Sequence, residues 1–106
     1  MKRYDIWWTA LDPTRGAEMA KTRPAVIVSL DALNQQLRTV TVCPLTSQLH
    51  PTWRSRVQVR CGDRPAEVAV DQLRTVSKVR LGDRIGSLNK DEAAAVRRVI
   101  TEMYGE

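Results

Sequence analysis

The sequence predicts a mainly β protein, a compact and partly closed barrel with one α-helix at its C-terminus. Three observations carry that prediction. Short apolar segments with the period-two alternation of strands recur between Ile6 and Leu88, separated by Gly, Pro, Asn and Asp. The periodicity then switches once, to helical spacing, in the last segment. Helices do not alternate with strands, as they would around a parallel sheet.

The elements follow in order. Residues 6–11 and 24–30 are strands, the second rich in β-branched side chains. Residues 31–36 are polar, either one helical turn or a loop. Residues 38–45 alternate loosely, with Val40 and Val42 on one face and Thr39 and Thr41 on the other. After a loop at 46–51, residues 54–60 alternate cleanly, Val57 and Val59 inward and Arg56, Gln58 and Arg60 outward. Residues 61–65 are a turn around Gly62-Asp63. Residues 67–71 resume with Val68 and Val70 on one face, 73–79 add a strand that ends before Gly82-Asp83, and 85–88 close the set.

In the final segment Asn89 is an N-cap with Glu92 at the capping-box position, and Asp91 and Glu92 suit the helix dipole. Val96, Val99, Ile100 and Met103 form one stripe. That helix, residues 90–104, should run roughly 22 Å and lay its stripe across the sheet. Trp7 and Trp8 fall on opposite faces of the first strand, one for the core and one for solvent, a partner or a base. With no repeat, low-complexity segment or linker, residues 1–106 are expected to form one domain.

The totals exclude several function classes. At 106 residues, with 42% hydrophobic and 27% charged side chains, the chain can bury a core without disulfide staples. Its composition is that of neither a disordered nor a membrane protein. No apolar run approaches the ~18 residues that span a bilayer, and the N-terminus lacks the apolar core of a signal peptide, so the expected compartment is the cytoplasm. Two cysteines and one histidine cannot supply the four ligands of a structural zinc site. Cys43 lies in an apolar strand as a small core residue, and no third partner joins a cysteine to His50 for thiol catalysis. No cofactor is expected. The net charge of +5, from 17 Lys plus Arg against 12 Asp plus Glu, points to nucleic acid or an acidic protein partner. A merely soluble basic surface would carry the same count.

The most informative stretch is residues 12–24, a polar link that exceeds the ~2–5 residues of a hairpin loop. It brings Arg15, Lys21 and Arg23, with Glu18, to a strand end, where a site on a small barrel is expected. Cys43-Pro44-Leu45-Thr46-Ser47 sets a hydroxyl pair where a strand runs into a loop. Val70-Asp71-Gln72 ends another strand with an acid–amide step. The acids are too scattered for a metal-bound nuclease centre, and the P-loop, kinase and nucleophile-elbow motifs are absent. This equipment suits RNA cleavage without a metal. The 2′-hydroxyl of RNA attacks the adjacent phosphate, while the protein positions the chain, stabilises the phosphorane and moves two protons.

Five motifs, taken in order, resemble the MazF/PemK (Kid) toxins of bacterial type II toxin–antitoxin pairs over nearly the whole chain. They are Asp5-Ile6-Trp7-Trp8, Leu11-Asp12-Pro13-Thr14-x-Gly16-x-Glu18, Thr22-Arg23-Pro24-Ala25-Val26, Pro44-Leu45-Thr46-Ser47 and Asp71-Gln72-x-Arg74-Thr75. The resemblance implies an SH3-like barrel, a homodimer, and inhibition by a cognate antitoxin with an acidic, disordered tail. It also implies a sequence-specific endoribonuclease that cuts single-stranded RNA to leave a 2′,3′-cyclic phosphate and a 5′-hydroxyl. Its catalytic residues would be Arg23, Thr46 and Glu18. One branch of the family has a histidine where this chain has Ala17 and an arginine where it has Ala69. Of that branch's set only Asp71 remains, and the chain is similar rather to the MazF branch.

A guanidinium keeps its proton at working pH, so Arg23 suits phosphorane stabilisation or proton donation better than the role of base. Thr46 would hold a non-bridging oxygen or orient the 2′-hydroxyl. Glu18 is the base if loop closure desolvates it. Arg15, Lys21, Ser47, Arg54, Arg56, Asp71 and Gln72 are the candidate RNA contacts. Each also has an ordinary reading, as a strand-end cation, solvated acid or turn hydroxyl; the ordered match lifts Arg23 and Thr46 above it. Two other functions fit the same barrel. A CcdB-like poison of DNA gyrase would not need Arg23 with Thr46, and an RNA-binding SH3-like domain would leave its RNA whole.

Overall fold

The computed structural model describes residues 1–11, 16 and 21–105. Its strands are β1 (Asp5–Ala10), β2 (Thr22–Ile27), β3 (Thr39–Thr46), β4 (Arg56–Cys61), β5 (Arg64–Ala69), β6 (Arg74–Ser77) and β7 (Leu81–Ser87). A short helix, α1 (Asp31–Gln36), lies between β2 and β3, and α2 (Lys90–Tyr104) follows β7. The strands form one sheet in the order β4-β5-β3-β2-β1-β7, with β6 pairing β3 off that path. Every pairing is antiparallel.

The curl of the sheet is made in β3. Its first half, Thr39 to Val42, pairs with β6, and its end, Leu45 and Thr46, pairs with β5. Cys43 and Pro44 fall between those two partners. Proline has no N–H to give a ladder, so the gap is where a strand buried in the sheet tolerates it. The opposite edge of β3 meanwhile stays on β2, with Ala25 across from Pro44.

α2 covers one face. Val96 and Ala93 are buried on it, with Val99 and Ile100 packed alongside, against Ile6, Val26, Cys43, Leu45, Val68 and their neighbours. The predicted helix bounds and capping box are both present: Asn89 Oδ1 accepts the Glu92 amide at 2.8 Å, and Glu92 Oε1 accepts the Asn89 amide at 2.9 Å. The other face carries a smaller core of Ala25, Ile27, Val40, Val42 and Val76, flanked by Trp7 and Leu81. Cys43 is fully buried as expected, and burial pushes its thiol up to about 12.

Three local readings change. Residues 31–36 settle as a helix, because Asn34 is buried and its amide group bonds Ser29, Nδ2 to the carbonyl oxygen at 2.9 Å. The 61–65 turn tightens to Gly62-Asp63, with Arg64 and Pro65 already in β5; Gly62 takes φ +64°, which a two-residue hairpin turn requires. Gly82-Asp83 lies inside β7 rather than between strands. The β1–β7 ladder shifts register there, and a Cβ on Gly82 would sit 3.6 Å from the Trp8 carbonyl oxygen. That is an ordinary contact distance, so the space beside Trp8 does not itself demand glycine.

Candidate active site

The ladders bring two distant residues together. Thr9 pairs with Arg23, and Thr46 with Glu67. The β2–β3 ladder ends at Ala25–Pro44, and just beyond it Arg23 and Thr46 line one cleft. A cleft of about 540 Å³ opens at this end of the sheet, a size that suits a small ligand or one nucleotide. Its lining supplies three cations, Lys21, Arg23 and Arg64, three hydroxyls on Thr22, Thr46 and Ser47, and the Trp8 indole. Trp8 is 44% exposed, so the tryptophan pair divides as strand alternation requires, and the outer ring faces the cleft. Thr46 Oγ1 accepts the Gln48 amide at 3.1 Å, which leaves its own proton and a second lone pair for a ligand. Cys61 also lines the cleft, but burial raises its thiol pKa and keeps it protonated, hence a poor nucleophile.

Beside the cleft lies a second polar cluster centred on Glu67, whose side chain is 0% exposed. Its carboxylate accepts Gln58 Nε2 at 2.7 Å, Arg56 Nη1 at 2.7 Å and the backbone amide of His50. His50 Nδ1 lies 3.3 Å from its Oε2. Burial works to raise the Glu67 pKa, but the bonds from Gln58, the His50 amide and Arg56 outweigh it and hold it below the ordinary value. Arg56 turns its other edge to Asp71, Nε to Oδ1 at 2.8 Å. Its guanidinium lies over the Trp53 ring, 4.7 Å from the centroid, and Trp53 in turn stacks with the His50 ring at 3.8 Å.

Of the residues singled out by sequence, Lys21, Arg23, Thr46 and Ser47 meet at the cleft. Glu18 and Arg15 lie outside the described residues. Arg54, Arg56, Asp71 and Gln72 do not line it: Arg54 pairs with Glu102 of α2, and Asp71 and Gln72 sit in a 3₁₀ turn after β5. Arg56, expected outward and solvated on β4, is a correction. It does leave the valine face, but Glu67, Asp71 and Trp53 cover it until 6% of the side chain is exposed. Sequence reasoning missed Arg64 and Glu67. The Gly62-Asp63 turn carried the signal for Glu67, because its register puts Gln58 directly across from that acid.

Among the described residues no three His, Cys, Asp or Glu side chains gather as metal ligands, and no helix is long and apolar enough to cross a membrane. Over residues 2–104 the sequence matches the family described as PemK-like, MazF-like toxin of type II toxin-antitoxin system. The chain belongs to that family. Its relatives include the endoribonuclease MazF9 of Mycobacterium tuberculosis, 32% identical over 103 residues, which cover 89% of this chain and 87% of the relative. The MazF fold is shared with the crystal structure of MazF from Deinococcus radiodurans, at TM-score 0.87 and 23% identity, covering 100% of this chain and 97% of that one. It is shared too with a mycobacterial endoribonuclease solved in complex with its cognate antitoxin, at TM-score 0.83 and 22% identity over 99% and 95% of the two chains.

Proposed function

We propose that this MazF/PemK-family chain is the endoribonuclease toxin of a type II toxin–antitoxin pair, cutting single-stranded RNA in the cleft without a metal. The observation that carries the reading is the meeting of Arg23 and Thr46 in one cationic cleft. The endoribonuclease name of the M. tuberculosis relative supports it. In the reaction the RNA 2′-oxygen attacks phosphorus, forming the 2′,3′-cyclic ester as the bond to the 5′-oxygen breaks. The 2′-hydroxyl proton passes to a base, for which Glu18 is the candidate, and the leaving 5′-oxygen takes a proton. Arg23 faces the charge that grows on the phosphorane oxygens, a contribution typically of ~2.7–4 kcal/mol to the barrier. Thr46 holds the non-bridging oxygen or the attacking hydroxyl in line. Lys21 and Arg64 draw in flanking phosphates, and Trp8 offers a face on which a base can stack. DNA, lacking the 2′-hydroxyl, would stay intact.

The same cleft suits a disordered acidic antitoxin tail, which would inhibit by occupancy. We further assign the protein to the cytoplasm, as a homodimer. The deciding experiment is digestion of a long unstructured RNA in EDTA, beside Arg23→Ala, with product ends mapped. Discrete cuts with cyclic-phosphate ends, lost in the variant, are the expected result. Intact RNA with folded protein would turn the reading to a non-catalytic toxin.

A further inference from the structure

Glu67 is a costly residue at its position. A buried carboxylate is expensive to desolvate, and a buried ion pair is weak evidence for stability, since apolar residues of similar volume often serve as well. Two of its bonds, from Arg56 and Gln58, stay within the β4–β5 hairpin. The other two, from the His50 backbone amide and from its Nδ1 at 3.3 Å, leave the sheet. The His50 amide belongs to the loop between β3 and β4, and that loop begins at Thr46.

The loop is not held by apolar burial, since residues 47–49 and 51–54 are all exposed. Its restraints are polar and ring contacts: the Gln48 amide to Thr46 Oγ1 at 3.1 Å, the His50 amide and Nδ1 to Glu67, the Trp53 amide to the His50 carbonyl at 3.0 Å, the His50–Trp53 stack under Arg56, and Arg54 paired with Glu102. Of these, after the Gln48 bond itself, the contacts to Glu67 lie nearest the Thr46–Ser47 end. Thr46 and Glu67 are direct cross-strand partners, so their side chains share a face with Cβ atoms about 4.5–5.5 Å apart. One buried carboxylate thus holds the segment that both sets the Thr46 hydroxyl and presents Ser47 to the cleft.

We infer that Glu67 is a positioning residue for RNA cleavage, acting through its bond to the His50 amide to fix the Thr46–Ser47 hydroxyls in the cleft. The inference rests on the reading of the cleft as the cutting site. Release of the His50 amide lets residues 47–50 swing, and the Gln48 amide then leaves Thr46 Oγ1. The hydroxyl loses its orientation while the cations that draw in RNA stay where they are. A misplacement of about 1 Å at a reacting group can cost on the order of a hundredfold in rate, so the loss should fall on kcat.

The test compares variants on a single-stranded RNA oligonucleotide bearing a site mapped in the long-RNA digest. His50→Pro removes the amide donor and His50→Ala keeps it. The expected result is a kcat at least tenfold lower for His50→Pro with KM within threefold of wild type, against a kcat within threefold for His50→Ala. A second route removes the acid itself. Glu67→Leu with Arg56→Met removes the buried acid together with its cation, leaving only Asp71, whose side chain is 30% exposed to water, and should reproduce the kcat loss in a folded protein, whereas Glu67→Gln, which retains an acceptor, should keep most of the rate. Wild-type kcat in folded His50→Pro would overturn the inference. So would a loss confined to KM, or an equal loss in His50→Ala, which would make the ring rather than the amide the active part. Wild-type protein that leaves the RNA uncut would instead defeat the reading of the cleft, and this inference with it.

Discussion

Arg23 stands at the start of β2, half-buried on the wall of the cleft that also holds Thr46. Arg56 stands at the start of β4, with 6% of its side chain exposed and a carboxylate on either edge of its guanidinium. In the sequence both are strand-end arginines of a basic chain, equally eligible to grip phosphate. In the fold they have divided into a residue that lines a binding surface and a residue that neutralises an acid. The count of 17 Lys plus Arg therefore overstates the cations available to RNA. Part of the positive count is consumed inside the molecule, where Arg56 balances Glu67 and Asp71.

If that division is real, the two arginines should fail in different ways. Arg56→Ala leaves the Glu67 carboxylate buried without its cation, a change that costs about 3–5 kcal/mol; the urea midpoint should fall accordingly. Arg23→Ala should leave that midpoint nearly unmoved and instead lower the cleavage rate by about 10²–10³-fold, read as initial rates on RNA in EDTA. Acid should expose the same contrast. Glu67 and Asp71 are held below their ordinary values of 4.5 and 3.8. They therefore contribute stability that is present above those values and lost as pH falls through the depressed folded ones. Denaturation midpoints measured downward from pH 5 should drop in wild type, and less steeply in Glu67→Leu with Arg56→Met.

A smaller effect belongs to RNA affinity. Binding should weaken with salt at a log–log slope near ~0.7 per phosphate neutralised on a single strand. Arg64→Ala should lower that slope by about one such unit, whereas Arg54→Ala, paired with Glu102 away from the cleft, should not change it. A slope that is flat in wild type would remove the cationic cleft as the RNA path. Smallest of all, Trp53→Leu takes away the ring under Arg56 and should cost about 0.5–1 kcal/mol of stability in the same urea titration, without altering the salt slope.

Much of this architecture was legible because its causes are local. The Asn89–Glu92 box and the stripe from Val96 to Ile100 define α2 within the helix itself, and the Val57/Val59 alternation defines β4. The meeting of Arg23 and Thr46 could be expected from the ordered motifs, although the register that seats them together is a property of paired strands. What escaped the sequence depends on tertiary placement. Alternation correctly turns Glu67 away from Val68 and Val70, yet says nothing of the His50–Trp53 loop that folds over that face and buries it. Gly82-Asp83 has the composition of a turn, and its place within a strand, at the register shift of the β1–β7 ladder, shows only once the strands are paired. That one of Trp7 and Trp8 would be exposed could be predicted, but not which one, nor its direction toward the cleft.

One further property follows from the position of β1 between β2 and β7, with Asp5 across from Ser87. Ile85 of β7 lines the same cleft as Arg23 and Thr46. The β1 strand thus waits for a partner far downstream in the sequence, and pairings so distant in sequence are slow to close. A nascent chain with β1 and β2 in hand still lacks a wall of its own cleft.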